Sequence, residues 1–88
     1  MTLERWKTFS FRDQMGHIAS EILRADLMMK KDKNIYLQMI ERAISLVDLT
    51  LNDEKWRGNF LRLFILRDEL ARVYLGENKD LKKLIAAL

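Results

Sequence analysis

The sequence predicts an all-α protein, an antiparallel bundle of three long helices and a short C-terminal fourth. Three observations lead there. Apolar residues recur at three- and four-residue steps over three long stretches, and no stretch alternates with period two for long enough to argue a strand. The 88 residues also include no Pro and only three Gly, so little interrupts a helix. A chain of this length makes one domain, residues 1–88. Its 49% hydrophobic and 33% charged residues are a globular balance, too apolar for a disordered chain.

The first long helix starts at Ser10, whose hydroxyl can cap an orphan N–H while Asp13 favours the positive end of the helix dipole. Phe11, Met15, Ile18, Ile22, Ala25 and Met29 then form one stripe. Residues 30–34 are polar and predict a loop, with Asn34 as the next N-cap. In the second helix Tyr36, Ile40, Ala43, Val47 and Leu51 make the main stripe. Leu37 and Ile44 flank it on one side, with Ile35, Met39, Leu46 and Leu49 on the other. So much apolar circumference fits a central helix or a subunit interface.

Residues 52–54 predict the second turn, and Gly58 falls in the ragged start of the third helix. The expected stripe there is Trp56, Phe60, Leu63, Phe64, Arg67, Leu70, Ala71 and Tyr74, with Leu66 and Val73 over one edge and Leu61 and Leu75 over the other. Gly76 is a natural C′ residue because it takes the left-handed conformation cheaply. Asn78 or Asp80 can cap the short helix, where Leu81, Leu84, Ile85 and Leu88 share a face. Short turns bring the 30–34 and 76–80 loops to one end, and the N-terminal segment and the 52–57 turn to the other.

Most catalytic chemistry is excluded. Without Cys there is no disulfide, thiolate metal site or cysteine nucleophile, and a single His forbids paired-histidine metal helices. No Gly-rich phosphate loop exists, and no metal or cofactor is expected. The charged start (Glu4, Arg5, Lys7, Arg12, Asp13) is unlike a signal peptide, and no apolar run approaches a membrane span. A cytoplasmic protein without membrane contact is expected.

Three constellations remain. Arg12-Asp13-Gln14-Met15-Gly16-His17 resembles the Arg-x4-His motif of HEPN-type ribonucleases, dimeric helical proteins in which arginine and histidine attack RNA. The motif lies late in that family and early here. The residue-level alternative is a surface ladder of Asp13, His17, Glu21 and Arg24. Second, Arg67 inside an apolar stripe must snorkel or pair, and antiparallel packing would bring it level with Glu21 and Glu41 as a buried ion-pair layer. A small anion pocket at Arg67 is the functional alternative.

Third, basic residues gather at both ends, with Arg5, Lys7, Lys55 and Arg57 beside Trp6 and Trp56. Lys30, Lys31 and Lys33 collect with Lys79, Lys82 and Lys83. Such ends can make weak nucleic-acid contacts, unless the tryptophans plug the core. A net charge of +3 is small for a dedicated nucleic-acid clamp.

The order Ser20-Glu21, Arg24-Ala25, Glu41-Arg42-Ala43, Asp48-Leu49-Thr50 and Leu66-Arg67-Asp68 resembles small uncharacterised prokaryotic helical proteins. That resemblance implies a stand-alone bundle and no activity. The leading expectation is a non-enzymatic interaction module, a homodimer with a possible protein partner. Its expected interface is Met39, Leu46, Leu49, Leu66 and Val73, because a thin core leaves those flanks uncovered. An RNA-binding or HEPN-like RNA-cleaving protein is the alternative.

Overall fold

Side chains that fill orphan backbone donors decide where the helices start. In the computed structural model, which describes residues 1–78 and 80–88 (of Ala87 the backbone only), five α-helices follow one another. They are α1 (Leu3–Trp6), α2 (Phe11–Met28), α3 (Lys33–Leu51), α4 (Phe60–Tyr74) and α5 (Leu81–Ala87), with a 3₁₀ segment, Glu54–Asn59, leading into α4. No strand occurs among the described residues. Ser10 Oγ accepts from Asp13 N at 3.1 Å, as expected for the start of α2. The cap of α3 is Asp32 and not Asn34, because one Asp32 carboxylate oxygen accepts from the N–H groups of both Asn34 and Ile35. Asp80 caps α5.

Gly76 has φ +82°, and α4 closes in a Schellman turn: Gly76 N donates to Val73 O and Glu77 N to Arg72 O. The single-turn α1 has no periodic signature in four residues. Its Trp6, wholly buried, ties it to the core.

The second long helix, α3, packs against α2 and α4 and also meets α1 and the 3₁₀ segment. This explains its broad apolar circumference: it is the central helix. The short α5 packs on both α2 and α4, with Leu81 and Leu84 buried. Ile18, Ile22, Ile40, Leu63 and Leu70 are fully enclosed between these elements. Each such side chain stabilises the fold by about 1.5–3 kcal/mol.

The stripe of α4 is one residue out of phase with the expectation. Residues 54–59 turn as a 3₁₀ helix, so the four steps from Trp56 to Phe60 advance the chain by about 80° more than an α-helix would. Leu66 and Val73 therefore point into the core with Leu63 and Leu70, while Phe64 turns out to solvent. Arg67 moves to the flank that faces α3.

Two expectations change. Met39, Leu66 and Val73 are buried within the single chain and offer no interface surface, while Leu46 and Leu49 are half-buried. Arg67 forms no buried layer with Glu21 and Glu41. It pairs with Asp48 at 2.5 Å, both side chains being about half exposed. The charge and hydrogen bond of Asp48 hold the guanidinium ionised above its ordinary range.

Candidate functional site

At the end where the N-terminal segment meets the 52–57 turn, the candidate basic–aromatic site is closed. Trp6 and Trp56 are 0% and 4% exposed, so neither ring can stack on a base. Trp6 Nε1 donates to Thr50 Oγ1 at 2.9 Å, and Trp56 Nε1 donates to Gln14 Oε1 at 2.6 Å. Gln14 Nε2 in turn donates to Trp6 O and Asp53 Oδ2, each at 2.8 Å. Lys55 Nζ donates to Lys7 O, Phe9 O and Asp53 Oδ2. The Lys55 ammonium is thus held by carbonyls and a carboxylate. Burial alone would raise the Asp53 carboxyl, but hydrogen bonds from Lys55 and Gln14, with the lysine charge, outweigh it and hold the group below the usual range.

Gln14, Thr50 and Asp53 are the buried polar residues that sequence reasoning missed. The signal was present for two of them. Gln14 lies four residues before Ile18 and Thr50 three after Val47, both in phase with a core stripe.

The structure does not bring Arg12 and His17 together. Five residues along an α-helix separate them by about 140°. Arg12 lines a shallow cleft with Phe11, Trp56 and Leu88, whereas His17 lines the cleft between α2 and α3. The His17 ring lies 5.1 Å from Phe9 and 5.8 Å from Trp6, tilted against both. Glu21 accepts from Arg24 at 3.2 Å through one oxygen, while its other oxygen is shut from solvent without a hydrogen-bond partner. Glu41 accepts from the Tyr74 hydroxyl at 2.7 Å, which raises the tyrosine's ionisation above its ordinary value. Among the described residues no group of three His, Asp or Glu side chains could hold a metal ion.

Of the basic residues expected at the opposite end, Lys30, Lys31, Lys33, Lys82 and Lys83 are exposed, and Lys79 lies outside the described residues. The 29–33 and 73–76 segments share one cleft there.

The outer face of α4 is different in kind. Leu61, Phe64 and Ile65 are 73%, 56% and 54% exposed within five residues, and Leu75 is exposed further along. Asp68 and Arg72 pair at 3.2 Å between them. Beside Ile65 runs an apolar groove of about 220 Å³ bounded by Leu66, Leu84 and Leu88.

Fold and geometry thus define a small all-α protein with a closed polar end, an open α2–α3 cleft and an uncovered helix face. Comparison with known proteins adds no relative: no family model, curated protein or solved structure matches the chain. No helix among the described residues is long and apolar enough to cross a membrane.

Proposed function

We propose that the protein is a non-enzymatic interaction module that pairs with a second copy of itself through the outer face of α4. The observation that carries this reading is the exposure of Leu61, Phe64 and Ile65 on one side of the helix. A large apolar cluster on a small surface marks an association site. The charges around it favour a second copy as the occupant. Arg57 and Arg62 lie at the start of the patch, and Asp68 and Glu69 lie beyond it. Two such helices crossing antiparallel about a two-fold axis would set Leu61 of each on Ile65 of the other. Arg57 would then lie level with the neighbouring carboxylates Asp68 and Glu69 across the interface, and closed two-fold pairing satisfies both halves with one surface.

Within the chain, the helices of this reading run antiparallel. Its support is the pairing of Arg67 with Asp48 and of Tyr74 with Glu41: seven residues forward on α4 match seven residues back on α3.

Size exclusion with light scattering tests the function. A mass near twice 10.5 kDa at micromolar concentration is expected for the wild type, and a mass near 10.5 kDa for Phe64→Glu with unchanged helicity. A wild type of 10.5 kDa across a wide concentration range overturns the reading.

A further inference from the structure

The cleft shared by the 29–33 and 73–76 segments lies at the opposite end of the bundle from the closed polar network. Its volume is about 640 Å³, within the roughly 300–1,000 Å³ of sites that enclose small ligands. Met29, Leu37, Val73 and Leu75 give it an apolar lining. The charged groups that line it are both cationic. Lys30 and Lys33 are exposed and make no ion pair among the described residues.

Tyr36 supplies a second, independent observation. The residue is only 8% exposed, yet its hydroxyl has no hydrogen-bond partner among the described residues. Unlike the Glu21 oxygen, that hydroxyl is not shut from solvent, and Tyr36 lines this cleft. A largely buried phenol without an internal partner is a donor open to whatever occupies the space. Burial, with the charge of Asp26, keeps it protonated above its ordinary range.

We propose that this cleft binds an amphiphilic anion, with a carboxylate or phosphate head on Lys30, Lys33 and the Tyr36 hydroxyl and an apolar tail along Leu37, Val73 and Leu75.

Each half of such a ligand answers a feature of the cleft. No carboxylate lines it. Of the acids nearby, Asp32 is spent capping α3, and Asp26 acts on Tyr36 without bordering the space. The other lining hydroxyl, on Tyr74, already donates to Glu41. Two ammonium groups and a phenolic O–H are all donors, so a cation would meet repulsion and a neutral alcohol would leave both charges unmet. Charge-assisted hydrogen bonds hold the head, and the tail gains affinity with the apolar area it removes from water.

Decanoate, decyl phosphate, decanol, decyltrimethylammonium and butyrate, each titrated below micelle formation into the full chain by amide-resolved NMR, are the test. Decanoate or decyl phosphate is expected to saturate, shifting the amides of Lys33, Leu37 and Gly76. The tighter of the two names the source, a fatty acid or a phosphate monoester. Decanol, the cation and butyrate are expected to bind at least about tenfold more weakly. Tyr36→Phe keeps the ring and removes the hydroxyl, and it should weaken the anion about tenfold, as should the pair Lys30→Gln and Lys33→Gln. The site is refuted if neither anion shifts those amides saturably at about 5 mM, above a millimolar Kd. It is also refuted if Tyr36→Phe binds the anion as the wild type does, or if the cation binds as tightly. Shifts that appear only with vesicles of anionic phospholipid overturn the cleft in favour of a lipid surface. The Phe64→Glu variant, whose substitution lies outside the cleft, is expected to bind the anion unchanged, which separates this result from self-association. Loss of binding in that variant would overturn the cleft assignment in favour of the α4 face.

Discussion

The polar end around Gln14 and the outer face of α4 are both dense in large aromatic and aliphatic side chains, yet they are finished in opposite ways. At the polar end, two indole N–H groups, the Gln14 amide, the Asp53 carboxylate and the Lys55 ammonium all find partners inside the chain. On α4, Leu61, Phe64 and Ile65 find none. Richness in basic and aromatic residues is therefore no guide to function here; completeness of partnering is. A closed network serves stability, whereas an uncovered face is the surface that the proposed pairing would use.

Breaking the closed end should have the largest effect. Gln14→Ala strands Trp56 Nε1, removes one of two donors from both the Trp6 carbonyl and Asp53 Oδ2, and opens a cavity. A loss of about 3–5 kcal/mol is expected by urea denaturation, at unchanged slope. A loss below about 1 kcal/mol would mean that the network contributes little to the fold.

Acid sharpens the same contrast. Asp53 titrates below the unfolded carboxyl value of about 3.9. Its contribution is therefore fully present above that value and is lost as pH falls through the lower, folded-state one. Asp53→Asn should be less stable at neutral pH and should lose less on moving from neutral pH to about pH 3 than the wild type does. Equal losses in the two proteins would assign the acid sensitivity to other carboxylates.

Arg67→Met should have the smallest effect, within about 1 kcal/mol, because the pair with Asp48 is half exposed. A cost comparable to that of Gln14→Ala would return Arg67 to the role of a buried specificity device.

Much of this architecture was legible because periodicity and caps are local. The stripe Ile18, Ile22 and Ala25, the Ser10 cap and the Gly76 turn follow from spacing and from single-residue chemistry. The α4 phase was not legible. Six residues of 3₁₀ helix rotate all that follows, and no residue type in Glu54–Asn59 announces that choice over one more α-turn. That one rotation exchanged Leu66 for Phe64 at the surface and moved the expected interface. The buried roles of Gln14 and Asp53 depend on a contact thirty-nine residues apart, which local spacing does not encode.

Complementary charge reversal tests the two-fold pairing of α4 most directly. Arg57→Asp alone would set two carboxylates against each other at both symmetry-related contacts. Asp68→Arg alone would set two guanidinium groups against each other there. A mixture of the two variants restores opposite charges at both contacts, because each chain supplies what the other lost. The account predicts masses near 10.5 kDa for each variant alone and near twice that for the mixture, at a concentration where the wild type is paired. Two variants that dimerise alone as the wild type does, or a mixture that stays monomeric, would contradict it.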